Sequence, residues 1–260
     1  KPLPCWTSFP HPKYSTLNKL FCRFDRLSRS DFWTTYQYGN KYGRNNLLLT
    51  NIPEVLLIDN GVHDEGGYSV DINIPISIIG ESREHCIIIG GLRMNGKKKD
   101  DVYVSNLTLR DSYNCGVSRD CGASIHLDNV SVENSRWHGV EVVGGKRHTM
   151  KNCNVSHSKR CGIVVGSRSR KHFDKDVDKT HEYTHTNGLM KIDGNDTTIH
   201  HNCSFGLKTC TKNMSGFYSP GSIHLASSLT IETISKNNGG GGNYGGLGTI
   251  KTNCNWTLLP

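Results

Sequence analysis

Proline is scarce in this chain, 8 of 260 residues, and no stretch runs apolar for long. The first shortage excludes a proline-rich linker or a collagen-like rod. The second excludes a membrane-spanning helix, which needs about 20 mostly apolar residues. Beyond residue 50 there is also no ten-residue stripe of helical period, so the βαβ units of a doubly wound fold have no crossover helices to build on. An opening methionine and a leader pattern are missing too: position 1 is Lys, the mark expected of a processed or trimmed chain. Acidic side chains are outnumbered, 23 against 31 basic, for a formal charge of +8. Such a balance suits a polyanionic partner and, on its own, suits a soluble basic surface equally well.

What is present is a repeat. Ser105-Asn106-Leu107-Thr108-Leu109, Asp128-Asn129-Val130-Ser131-Val132 and Lys151-Asn152-Cys153-Asn154-Val155 recur at a spacing of 23, each followed by a Ser (Ser112, Ser135, Ser158). Gly116-Val117, Gly139-Val140 and Gly162-Ile163 then close each unit in the same register. A fixed period of this size marks a solenoid. Within each unit apolar residues alternate, the signature of strands with one face buried. Short strands and tight turns in about 23 residues fit one coil of a parallel β-helix. Asn106, Asn129 and Asn152 would then stack about 4.8 Å apart and share amide hydrogen bonds. The glycines are expected at bends that require positive φ.

With Ile76-Ser77-Ile78-Ile79-Gly80-Glu81-Ser82 as an early coil, the pattern resembles the pectin-lyase-like superfamily of right-handed parallel β-helices over roughly residues 52–250. The resemblance implies an all-β, single-stranded right-handed solenoid and no one function, because that architecture hosts lyases, hydrolases, epimerases, tailspikes and inactive scaffolds. It also works by exclusion. Pectin-cleaving hydrolases of the fold carry paired aspartates, a Gly-His-Gly and an Arg-Ile-Lys; here Cys161 stands at the histidine position and Thr249 at the arginine position. No carboxylate pair occupies the matching phase. Nor do the repeats carry the Thr-x-Thr ladder of an ice-binding solenoid.

The chain divides into residues 1–50, aromatic and free of the repeat, and residues 51–260, the β-helix. Leu17, Leu20, Phe21, Phe24 and Leu27 fall at helical spacing behind Ser15 or Thr16 as N-cap, so the first segment is expected to cap the open end of the solenoid. Thr198–Leu207 returns to the repeat after an inserted polar loop at 168–186. Ile223, Leu225, Leu229 and Ile231 promise one or two further coils. Gly239–Gly242 and Gly245-Gly246 read as a flexible loop, Thr249-Ile250-Lys251 as a last strand, and Trp256, Leu258 and Leu259 as an end cover. Cys86 and Cys153 fall in buried phases, and Cys115–Cys121 and Cys203–Cys210 are spaced to close small loops.

Chemistry has three places to sit. In the insert, Asp174, Asp176 and Asp178 reproduce the start of a calcium loop, but Lys179 replaces its turn glycine and His185 its bidentate Glu. His181-Glu182-Tyr183-Thr184-His185 matches the zinc-helix string His-Glu-x-x-His without an apolar stripe to seat a helix, so the insert reads first as an exposed mixed-charge loop, with calcium ahead of zinc should it hold a cation. Lys97-Lys98-Lys99 reads as a solvated turn rather than a nucleic-acid contact. The third place is the outward face of the coils. Phase alignment stacks Arg110, Glu133, Ser156 and His200, then Asp111, Asn134, His157 and His201, then Tyr113, Arg136 and Lys159, with Trp137 and Arg160 beside them.

Two functions follow. One is a non-catalytic rod presenting basic columns to an acidic polysaccharide or a protein, as on a virion or an extracellular surface, with Trp137, Arg160 and Arg110 in contact. The other is an acidic-polysaccharide lyase or epimerase, with Glu133 or His157 as base and Arg136 or Lys159 steadying the enolate.

Overall fold

Alternating side chains decide the architecture. Along Ile76–Gly80 and Val55–Ile58 every second residue is buried and the intervening ones meet solvent. A strand with one apolar face must cover it, and here each coil covers the next. The computed structural model, which describes residues 6–26, 53–95, 100–119, 123–144, 147–166, 188–212 and 218–254, is a parallel β-solenoid of about six turns with roughly 25 residues per coil. Among the described residues, no helix is long and apolar enough to cross a membrane.

Three parallel sheets form its sides. The first joins Trp6–Phe9, Val55–Ile58, Ile76–Gly80, the front halves of Asp101–Arg110 and Ser124–Glu133, then His148–Lys151, Leu189–Asp193, Ser222–Ala226 and Thr249–Cys254. The second joins the front halves of Gly61–Ile72 and Cys86–Met94 to the back halves of Asp101–Arg110 and Ser124–Glu133, then to Asn154–Ser156, Thr198–His200 and Ser235–Lys236. The third takes the back halves of Gly61–Ile72 and Cys86–Met94, then Val117–Arg119, Val140–Val143, Ile163–Gly166, Leu207–Lys208 and Tyr244–Gly245. Inside, like stacks on like: Val104, Leu127, Met150, Ile192 and Leu225 lie on successive rungs, all buried. Each such side chain contributes about 1.5–3 kcal/mol by leaving water.

The corners correct one expectation. Gly116, Gly139 and Gly162 are not in the left-handed region; they are small because the next coil presses on them. A Cβ on Gly139 would sit 2.3 Å from Val155 Cγ1 and 2.7 Å from the Gly162 carbonyl oxygen. Positive φ belongs instead to two other columns. Asn106, Asn129 and Asn152 (φ 51–54°) turn the chain from the first sheet to the second, and the Asn129 amide donates to Asn106 Oδ1 at 2.9 Å. Asp111, Asn134, His157, His201 and Asn237 (φ 51–57°) turn it from the second sheet toward the third. Asn and Asp tolerate this conformation because their short polar side chains bond locally.

At the N-terminal end a helix over 17–26 sets Leu17, Leu20, Phe21 and Phe24 into the core. Thr16 caps it through the Lys19 N–H, and the body supplies a second cap: buried Glu65 accepts from the Leu17 and Asn18 backbone N–H groups and from Asn18 Nδ2. Trp6–Phe9 adds a strand beyond Val55–Ile58, which the sequence pattern did not announce.

Later coils depart from the expected pattern in three ways. Cys210–Lys212 and Tyr218–Pro220 pair antiparallel, and Pro220 also pairs antiparallel with Gly166 of the third sheet. Thr230 caps a single helical turn, Ile231–Ile234, where a strand was expected. The glycine-rich stretch holds the Tyr244–Gly245 strand of the third sheet, so it is a coil rather than a free loop. Cys86 and Cys153 are buried thiols, while Cys115 and Cys203 are unbridged, so neither small loop is closed by a disulfide. Lys97–Lys99, the insert at 168–186 and residues 256–259 lie outside the described residues.

Candidate functional site

The corner between the second and third sheets gathers the chemistry. Strand pairing sets Arg110, Glu133, Ser156, His200 and Lys236 on successive rungs. Backbone bonds carry the stack around the bend: Asn134 N–H to the Ser156 oxygen (3.1 Å), His157 N–H to that of His200 (3.3 Å) and His201 N–H to that of Asn237 (3.2 Å). Beyond the bend, Arg136 N–H bonds the Ser112 oxygen and Lys159 N–H that of Ser135, both at 2.8 Å. The chain then passes from Asn114 through Trp137 and Arg160 to Ser204, each N–H donating to the preceding rung. Thus Arg110, Glu133, Arg136, Trp137, His157, Lys159 and Arg160 share one edge of the solenoid. Asp174, Asp176, Asp178, His181 and His185 lie outside the described residues.

Side-chain geometry divides the edge. Glu133 is occupied: Arg110 Nη2 and Nε reach its Oε2 at 2.9 and 3.0 Å, and the Ser131 hydroxyl donates to its Oε1 at 2.8 Å. Both of its oxygens are therefore already engaged by donors. Past the bend, cations lie on aromatic faces. The Arg136 guanidinium carbon is 4.8 Å from the Tyr113 ring centre, and that of Arg160 is 4.3 Å from Trp137. Tyr68 meets Tyr113 edge to face at 5.5 Å. Tyr113 and Trp137 remain 45% and 48% exposed, so each stack offers an outer surface to a ligand. Underneath, His138 is neutral: burial, then Arg160 and Lys208, hold its pKa down to about 4. Its Nδ1 accepts from the Cys161 N–H at 3.2 Å, which leaves the proton on Nε2. Cys115 donates to Glu141 at 3.2 Å, and burial with that carboxylate pushes the thiol well above its ordinary range, so it is no nucleophile.

A second polar cluster on the first sheet escaped the sequence reading. The Tyr103 and His126 rings stack 4.4 Å apart, His126 Nε2 meets Asp101 at 3.3 Å, and its Nδ1 accepts from Thr149 at 2.9 Å. Arg147 holds both oxygens of Asp101, Oδ1 at 3.1 Å and Oδ2 at 3.2 Å. Tyr103, His126 and Thr149 are spaced by the repeat itself, so the signal was present in the phase that points out of the first sheet. Among the described residues, no three His, Cys, Asp or Glu side chains are arranged to hold a metal ion.

Comparison with family models, with curated proteins and with solved structures finds no match to this chain. The expected likeness to the pectin-lyase-like superfamily therefore stands at the level of the parallel β-solenoid.

Proposed function

We propose that the corner between the second and third sheets binds an acidic polysaccharide without cleaving it, as part of a cell-surface or virion component whose solenoid is the rod that carries the site. The observation behind this reading is the pair of guanidinium–aromatic stacks, Tyr113–Arg136 and Trp137–Arg160, on an exposed edge. Aromatic faces pack against sugar rings, while Arg presents a fork of N–H donors that matches a carboxylate. Holding the guanidinium on a ring pre-orders it and lowers the entropy lost on binding. Lys159, one rung beyond Arg136 in the same column, adds a third cation. Residues 1–50 would serve as the end cap, and membership of the pectin-lyase-like superfamily belongs to the same proposal.

The alternative is a lyase or epimerase in which His157 takes the proton and Arg136 or Lys159 holds the enolate, calcium being the cation its loop would add. Glu133 is the weakest candidate for the base, because Arg110 and Ser131 already engage it. One experiment separates the two. Polygalacturonate is titrated into the protein, and the same mixtures are followed by ultraviolet absorbance for the double bond that elimination creates. Binding that weakens at least tenfold in Arg136→Ala with Arg160→Ala, and falls with added salt, supports the binding reading if absorbance stays flat. Rising absorbance would replace it with the lyase.

A further inference from the structure

On the same edge, beside the stacks, three imidazoles meet. His157 and His201 occupy successive rungs of the left-handed corner column, their rings 5.3 Å apart and within 5° of parallel. His200 stands across both, at 4.9 Å from His201 and 5.9 Å from His157. Its Nδ1 lies 2.7 Å from the Nδ1 of His201. At that distance one nitrogen carries the proton and the other accepts it, so the pair is satisfied by a single N–H between two rings. The parallel faces of His157 and His201 turn ring planes, not nitrogen lone pairs, toward one another, which is poor metal geometry.

A first added proton takes the free Nε2 of the donor ring and leaves the bond in place. A second puts hydrogen on both Nδ1 atoms, so the bond is lost and two charged donors face one gap. Only an acceptor oxygen can satisfy both, and a negatively charged one does so best. The charged groups around the cluster leave that role open. Glu133, on the second sheet, is bound to Arg110 and Ser131. Lys236, on the rung beyond His200, is cationic. Asp111 is in the same column but separated from His157 by the Asn134 rung. Burial, then the neighbouring imidazoles of His201 and His157, keep His200 below the ordinary imidazole range, so the added protons are poorly held until an anion arrives.

We propose that His157, His200 and His201 form an acid-activated site for an oxyanion, a carboxylate or sulfate of the acidic glycan, extending the edge on which Arg136 and Arg160 lie. This rests on the reading of that edge as a glycan site and adds its pH dependence: binding takes up protons, so affinity rises as pH falls through the range where free imidazole titrates.

The test measures binding of polygalacturonate, dextran sulfate and uncharged dextran by titration calorimetry at pH 7.5 and 5.5, at one ionic strength, with the fold checked by far-ultraviolet circular dichroism. Two buffers of different ionisation heat report the protons taken up. The variant carries His200→Ser and His201→Asn, residue types the chain itself uses in these columns at Ser156 and Asn237. Wild type is expected to bind the charged polymers about tenfold more tightly at pH 5.5, the worth of a charge-assisted hydrogen bond, with proton uptake. The variant keeps the affinity at pH 7.5 and loses the gain. A gain for polygalacturonate alone assigns the site to carboxylate, and for both polymers to oxyanions generally. A gain that persists in the variant, or no gain in wild type, overturns the proposal. Binding that appears only at pH 5.5 and ignores Arg136→Ala would support the histidine site while overturning the arginine edge.

Discussion

Lowering the pH from 7.5 to 4.5 should strip this fold of much of its stability, and His148 is the residue to test. Its side chain is fully buried. Nδ1 accepts from the Ile125 N–H at 3.1 Å, and Nε2 donates to the Gly144 oxygen at 2.9 Å. A second ring proton would face the Ile125 donor and add charge beside buried Arg119. Burial first, then Arg119, therefore hold its pKa down to about 3. His138 is held down to about 4 for the reasons given above. In the unfolded chain both return to about 6.5. A depressed folded pKa means that stability is complete above pH 6.5 and drains away below it, as the unfolded chain gains protons the folded one refuses. Each such histidine costs about 1.4 kcal/mol per pH unit in that window. For His148 the loss is roughly 3 kcal/mol by pH 4.5 and levels off near 5 kcal/mol below pH 3, against a total of about 5–15 kcal/mol for an ordinary domain. The assay is urea unfolding by circular dichroism at pH 7.5, 6.5, 5.5 and 4.5, on wild type and His148→Gln. Glutamine can accept from Ile125 and donate to Gly144 without titrating. Carboxylates titrate equally in both proteins, so the difference isolates His148. The variant should lose roughly 3 kcal/mol less than wild type over this range. Parallel curves for the two proteins would refute the reasoning.

Two further outcomes test the scaffold. Glu65→Ala should lower stability by about 2 kcal/mol, the worth of a charged acceptor shared by two helix-end N–H groups; hydrogen exchange should show residues 17–26 opening first, and an unchanged melting curve would mean that the helix docks through its apolar face alone. Gly139→Ala should cost about 3 kcal/mol by overpacking against Val155 and the Gly162 carbonyl, whereas Gly240→Ala, with nothing within 4 Å of its added carbon, should be near neutral in the same thermal scan.

The solenoid was legible because its interactions repeat with its sequence. When Asn129 sits on Asn106 and Val132 on Leu109, a spacing of 23 residues becomes a contact, and one period fixes the register of every outward column. The Glu65 cap was not legible, because it joins residues 47 and 48 positions apart across segments that share no period. The glycines misled for a related reason. Their recurrence gave the right phase, but a recurring glycine answers either to a left-handed bend or to a neighbour pressing close, and only the position of Val155 against Gly139 separates the two.

The same logic sets what could be read of the site. Arg136, His157 and Lys159 lie within the regular coils, and their meeting on one edge follows from phase. His200 and His201 come 44 residues after Ser156 and His157, yet they return to phase because the Thr198–His200 strand pairs with Asn154–Ser156. What phase cannot supply is the direction in which a side chain turns. It places Glu133 beside Arg110 without saying that they pair, and His200 next to His201 without saying that one proton lies between them. Those two contacts carry the proposals made above. The first engages the carboxylate that a lyase would need free as its base, and the second is the single hydrogen bond whose loss, on our proposal, opens the imidazole pair to an anion.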